Sequence, residues 1–210
     1  MRVAIVHDFL SQYGGAEKVL EALHEIWPEA PIYTLIYDKK ALKRRYDNWQ
    51  IRYSPIQNLP LGVKKYRWYM ALMPMAIERF NLSEFDLVIS NVSAYAKGII
   101  TKQKTKHICY CHTPTRYLWS DTYDYIENLR GIEKIMAKLL LSLLSRLRIW
   151  DYVAAQRPDN FIANSHNIAA RIKKYYRRDS VIVYPPVETE KFYISPELGD
   201  YFLVISRFRP

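Results

Sequence analysis

The chain has 210 residues, half of them apolar, enough for one large core or for one domain and part of a second. Its 31 Lys plus Arg against 21 Asp plus Glu leave a formal charge of +10, which favours anionic partners: phosphate-bearing ligands, nucleic acid or an anionic membrane face. Residues 1–6 read as a short strand rather than a signal peptide, and the longest uncharged run in the apolar helical regions, 68–77, is too short to span a bilayer and holds Pro74.

Apolar runs and helical stretches alternate along the chain. A strand is predicted at 3–6, then a helix at 14–26 closed by Pro28. A strand at 32–37 precedes a short basic helix at 39–46. A further strand at 51–56 leads to an aromatic-rich helix at 63–80. A strand at 86–90 is followed by a short helix or loop through Lys97, and a strand at 107–111 comes next. A long helix runs from 132 to about 156 and ends at Arg157-Pro158. Then come a strand at 160–164, a helix at 167–176 and a strand at 181–184 stopped by Pro185-Pro186. This alternation predicts an α/β fold, a doubly wound parallel sheet covered on both faces. Pro, Glu and Ser gather near 185–198, which places a boundary there: a Rossmann-like domain over 1–190, and over 191–210 a linker with the first strand of a second domain. That last strand, 201–205, reads as buried, and a buried parallel strand needs neighbours and a returning helix. The expectation is therefore a longer protein whose C-terminal domain is missing here.

Two places concentrate chemistry. In the first, the strand carrying His7-Asp8 runs into Gly14-Gly15-Ala16-Glu17. Paired glycines let backbone N–H groups approach a phosphate at a helix start; the alternative is a plain tight turn. In the second, an apolar strand delivers His112 to its tip beside Thr113-Pro114, followed by Arg116, Tyr117 and Trp119, residue types that grip sugars, phosphates and rings. A loop histidine satisfied by a carbonyl is the competing reading. His107, Cys109, Cys111 and His112 lack the spaced doublets of a metal site, so no metal is expected. Cys109 and Cys111, two apart on one strand, suit free thiols in a reducing compartment better than a strained disulfide.

The predicted long helix carries Lys134, Lys138, Ser142, Ser145 and Arg148 on one stripe beside many leucines, and the 63–80 segment sets Lys64, Lys65 and Arg67 beside Trp68. Either can lie against an anionic membrane, or simply cover the core.

In order, Gly14-Gly15-Ala16-Glu17, His112-Thr113-Pro114, Asn164-Ser165 opening a helix, 181–187 with Phe192, and Ile205-Ser206-Arg207 resemble the N-terminal domain of the retaining GT-B glycosyltransferases of family 4. The stretch from Trp150-Asp151-Tyr152 to Tyr184-Pro185-Pro186-Val187 is similar to bacterial mannosyltransferases that build O-antigen and other surface polysaccharides. The resemblance implies that this is the acceptor-side half of a GT-B fold. It implies that Gly14, Gly15 and Arg207 meet the donor diphosphate and that His112 contacts the transferred sugar. Acceptor contacts are then expected near Tyr13, Tyr95, Arg116 and Tyr117. The implied substrates are a nucleotide sugar, GDP-mannose, and a lipid-linked saccharide, with no cofactor or metal. The implied location is cytoplasmic, peripheral on the inner face of the plasma membrane. Without its donor-binding half, the 210-residue chain alone is expected to be inactive. A non-catalytic membrane-peripheral module and a nucleic-acid-binding protein are the alternatives. The latter is disfavoured because charge is spread along the chain and no nucleic-acid module appears.

Overall fold

A computed structural model of the chain describes residues 1–122, 132–194 and 199–204, with the backbone alone for 132–140. Seven strands form one sheet: β1 (Val3–Leu10), β2 (Ile32–Tyr37), β3 (Ile51–Tyr53), β4 (Leu87–Val92), β5 (Lys106–Cys111), β6 (Asn160–Ala163) and β7 (Val181–Ile182). Every pairing is parallel, in the order β3-β2-β1-β4-β5-β6-β7. The helices are α1 (Gly15–Ile26), α2 (Met73–Glu78), α3 (Arg116–Trp119), α4 (Ile132–Ala154) and α5 (His166–Tyr176). This is the Rossmann-like, doubly wound α/β arrangement expected from the β–α alternation.

β2 and β4 are buried along their whole length, as central strands are when both sheet faces are covered. Side chains alternate between faces, so the central strands feed two cores. Ala4, Val6 and Val88 face one, packed with Ile77 of α2, Leu144 and Leu147 of α4, and Ile168, Ile172 and Tyr176 of α5. Val3, Ile5 and Ile89 face the other, covered by Leu20 of α1 and by Leu42 and Tyr46. α5 starts at Ser165, whose hydroxyl accepts the Ile168 N–H at 3.3 Å, a side-chain cap at the predicted start.

Several boundaries depart from expectation for local reasons. Residues 39–48 form successive turns, not a helix, because Lys43 and Arg44 adopt left-handed backbone (φ 50° and 59°). The apolar i,i+4 pair survives: Leu42 and Tyr46 are both buried, and Tyr46 stacks on Trp49 at 4.4 Å. The 51–56 strand stops at Tyr53, and a 3-10 turn follows at Pro55–Asn58. Ser54 turns the chain there, donating to the Leu35 carbonyl at 2.8 Å and accepting from the Ile56 N–H. The 63–80 helix is broken into a 3-10 stretch, Tyr66–Leu72, and then α2. Pro74 sits in the first turn of α2, where its missing N–H costs nothing; inside one continuous helix it would have left a carbonyl unbonded. β7 ends at Ile182, although the Val183 N–H still reaches the Ala163 carbonyl at 3.0 Å. Residues 201–204 are exposed and form no strand, and among the described residues no strand pairs with them. Ile205 lies outside the described residues.

Candidate functional site

The order β2-β1-β4 makes a switch point: connections leave β1 to one side and β4 to the other, opening a crevice beyond their carboxyl ends. A cleft of about 490 Å³ lies there, lined by His7, Asp8, Gly14, Gly15, Glu17, Tyr66 and Ser93 among others. Gly14 precedes α1 as its cap residue, and its carbonyl accepts the Lys18 N–H at 3.2 Å. A methyl group added at Gly15 would meet nothing within 4 Å, so this loop borders open space. The predicted glycine loop therefore forms a wall of the cleft.

Asp8, 3 % exposed, fixes the opposite wall. Its carboxylate accepts four consecutive backbone N–H groups, from Ser93 (2.5 Å), Ala94 (2.7 Å), Tyr95 (2.7 Å) and Ala96 (2.6 Å). Charge-assisted bonds of this kind are the strong ones, and here they pin the chain leaving β4 to the tip of β1.

His112 follows β5 directly, and its N–H continues the sheet to the Val92 carbonyl at 2.8 Å. The ring Nε2 lies 2.5 Å from Asn91 Oδ1 at the end of β4. Its partner is thus a side-chain amide rather than a neighbouring carbonyl. Burial lowers the His112 pKa to about 4, and nearby His7 acts in the same direction, so the imidazole is neutral at pH 7. Asn164 ties the loop from outside, donating to the His112 carbonyl at 3.2 Å. His112 stands behind the lining of the cleft and is joined to it through Asn91.

Glu17 is buried on the first turn of α1. Burial works against its carboxylate, but the His7 hydrogen bond and the backbone N–H groups of Glu17 and Gly14 outweigh it and lower its pKa. An acidic side chain three residues after a helix cap, reaching back to the cap N–H, is one half of a capping box; that spacing was a readable sign of Glu17.

The predicted acceptor residues do not gather in the cleft. Tyr95 is buried, and its hydroxyl accepts from the Tyr117 hydroxyl at 2.7 Å. Burial raises both phenol pKa values, so the pair stays protonated and structural. Tyr13 donates to Glu21 at 2.8 Å with Arg45 over its ring. Arg116 is exposed and paired with Asp121 at 2.6 Å. Arg207 lies outside the described residues, as do the side chains of Lys134 and Lys138.

Behind the cleft, Lys97 Nζ and Asp151 Oδ1 form an ion pair at 2.6 Å with side chains 0 % and 1 % exposed. Asp151 also accepts from Thr115 (2.7 Å), Trp119 (2.8 Å) and Tyr176 (2.8 Å), and Lys97 donates to the Ala94 carbonyl. Sequence reading passed over Asp8, Asn91, Lys97 and this use of Asp151, because each acts through partners far along the chain.

His107, Cys109 and Cys111 point into the sheet interior. His107 bonds Ser90 at 2.8 Å, and burial lowers its pKa to about 3. Burial raises the Cys109 thiol to about 12 and Cys111 well up, so both free cysteines are inert thiols. Among the described residues no three His, Cys, Asp or Glu come together as a metal site. No described helix is long and apolar enough to cross a membrane.

A seven-stranded parallel sheet with a cleft at its switch point defines a Rossmann-like α/β domain. Residues 13–191 match Glycosyltransferase Family 4, and the chain belongs to that family: it is a glycosyltransferase domain of the GT-B type. No curated protein matches the chain.

Proposed function

We propose that this chain is the acceptor-side half of a retaining, nucleotide-sugar-dependent mannosyltransferase. In this reading it moves mannose from GDP-mannose onto a lipid-linked saccharide during surface polysaccharide synthesis. Residues 1–190 form the acceptor-side domain, and 191–210 are a linker and the first strand of a donor-binding half, in which Arg207 and further residues meet the diphosphate. The observation that carries the reading is the Gly14-Gly15 wall of the switch-point cleft, with His112 joined to it through Asn91, in a chain of this family. Retaining transfer needs positive charge or N–H groups on the departing diphosphate and a close wall for the sugar, and these elements suit that division. The test is transfer of labelled sugar by the protein with its donor-binding half, from GDP-mannose and UDP-glucose in parallel, to a polyprenyl-diphosphate saccharide. Mannose in the lipid fraction, with the anomeric configuration of the donor kept, is the expected result. Transfer from UDP-glucose alone would replace mannose in this reading, and an inverted product would end the retaining one.

Peripheral attachment to the inner face of the plasma membrane completes the proposal. The support comes from the 61–75 segment. Lys64, Lys65, Arg67 and Trp68 are exposed there, Trp68 by 69 %, alongside Leu61, Leu72 and Met75. Tyr66 of the same segment lines the cleft, so a lipid-borne acceptor held there would arrive beside the site. The rival helix is less suited. Arg148 of α4 is half-buried and turned inward, its Nε donating to the Leu118 carbonyl at 2.7 Å, while Leu144 and Leu147 fill the core. Each basic residue near an anionic surface contributes on the order of 1 kcal/mol. Changing Lys64, Lys65 and Arg67 to Gln should therefore lower partitioning onto anionic vesicles by about a hundredfold. Changing Lys134, Lys138 and Arg148 should do much less. Co-sedimentation reads both, and equal binding to neutral and anionic vesicles would remove the membrane from the proposal. A non-catalytic membrane-binding module is the second reading, favoured by the same exposed segment and excluded by any turnover.

A further inference from the structure

A continuous chain of polar side chains runs from the start of α1 to the tip of β5. Glu17 Oε1 lies 3.4 Å from His7 Nε2. His7 Nδ1 lies 3.1 Å from Asn91 Nδ2, and Asn91 Oδ1 lies 2.5 Å from His112 Nε2. Hydrogen positions follow from one more contact. Asn91 Nδ2 also meets the Ala16 carbonyl at 2.9 Å. A carbonyl only accepts, so the amide nitrogen of Asn91 must stand on that side. His7 Nδ1 then accepts a hydrogen bond from the Asn91 amide and must offer its lone pair. The His7 proton sits on Nε2 and points at the Glu17 carboxylate. The Asn91 oxygen can only accept, so His112 carries its proton on Nε2 as well. One ring nitrogen of His112 is left over, Nδ1.

We propose that Glu17 and His7 are positioning residues which, through Asn91, hold His112 as the Nε2–H tautomer and leave Nδ1 to accept a hydrogen bond from a hydroxyl of a bound sugar. The last step rests on the reading of the cleft as a sugar site and on a sugar that reaches past its His7–Asp8 lining to His112; the tautomer assignment does not. The arrangement is asymmetric in a useful way. Without Glu17, the His7 Nε2–H loses its acceptor, and the Asn91 amide alone is left to favour that tautomer. Turned over, it would present a donor to the Asn91 amide, which is already a donor there. Asn91 is held by Ala16 and cannot rotate to compensate without losing that bond. Burial keeps the His112 ring neutral, so a lone pair is present at pH 7. Glu17 thus supports, from three hydrogen bonds away, the Asn91 orientation that decides which nitrogen of His112 donates and which accepts.

Long-range proton–nitrogen spectra of the histidine rings, recorded on the 210-residue chain, test this without any transfer reaction. Two-nitrogen patterns with the proton on Nε2 are expected for both His7 and His112 at pH 7. Asn91→Ala should release His112 into a mixture of tautomers, moving both of its nitrogen signals. Glu17→Gln should move the His7 signals and, to a smaller extent, those of His112. His107, held separately by Ser90, should stay where it is in both variants and reports that the fold is intact. A proton on Nδ1 of His112 in the unsubstituted chain would overturn the proposal whatever the variants do. So would a Glu17→Gln spectrum in which His7 moves and His112 does not. Failure of the transferase reading would appear instead as absence of sugar transfer by the protein with its donor-binding half, with the tautomers as assigned.

Discussion

Replacing His112 with Ala lowers sugar transfer by about a hundredfold or more, the loss typical of removing one well-placed polar group from a site of this kind. The effect should fall on kcat more than on KM, since a group placed against the transferred sugar acts most strongly as that sugar departs. The fold should survive. His112 is half-buried, its backbone N–H stays bonded to Val92, and its carbonyl still accepts from Asn164. The cost to the rest of the molecule is one unpaired acceptor, Asn91 Oδ1, which a water in the space vacated by the ring can satisfy. His112→Gln is the informative companion. Its amide can still donate to Asn91 but not with the geometry of an imidazole, so partial recovery is expected. The comparison is made at saturating donor, with thermal unfolding run on each variant. Near-normal turnover in His112→Ala would leave His112 as a residue that merely shapes the loop.

Much of this architecture is written in local sequence, and the exceptions have physical causes. β2 was legible to the residue because Ile32 to Tyr37 is an uninterrupted apolar and β-branched run buried on both faces. α1 was legible because a glycine pair precedes a periodic apolar stripe. The 39–46 segment misled because its apolar residues keep helical spacing while two lysine and arginine positions take left-handed backbone. Neither is glycine or asparagine, so composition carries no sign of it. Pro74 was read as a barrier to a membrane span, yet its structural role is to start α2. In the site, Gly14-Gly15 and His112 were visible as punctuation: a glycine pair after a strand, and a polar residue at a strand tip beside proline. Tyr95 and Tyr117 were read as binding residues, and their hydroxyls face each other instead. Residue type shows that a phenol wants a partner; it does not show that the partner is another phenol 22 positions away. Asp8 and Asn91 were invisible for the same reason. Their partners lie 85 to 88 residues on for Asp8 and 84 residues back for Asn91.

The largest expected loss of stability comes from separating Lys97 and Asp151. Breaking a fully buried ion pair from one side leaves a charge with no counterion in a low-dielectric interior and costs about 3–5 kcal/mol. That is a fifth or more of the roughly 5–15 kcal/mol that holds an ordinary domain together. Asp151→Asn keeps the shape and leaves the ammonium of Lys97 with neutral partners and no counterion: the new amide oxygen, the Ala94 carbonyl, Thr115 and the Tyr176 ring at 5.3 Å. Lys97→Met keeps the length and leaves a carboxylate facing Thr115, Trp119 and Tyr176, three donors that soften its loss. Asp151→Asn is therefore expected to be the more damaging change. The double variant removes both charges and should be more stable than the sum of the single losses predicts, by about 1–3 kcal/mol of coupling. Denaturant midpoints of the four proteins supply the cycle, with equal slopes checking that the unfolding reaction is unchanged. Strict additivity would mean that the two groups do not act as a pair. The position of this pair gives its loss a second consequence. Lys97 and Ala94 belong to the turn clamped by Asp8, and Thr115 follows His112 by three residues. Asp151 on α4 therefore joins the two loops that carry the cleft wall and the histidine. Variants that weaken the pair should lose transfer at temperatures well below global unfolding, because those loops are released before the sheet that carries them.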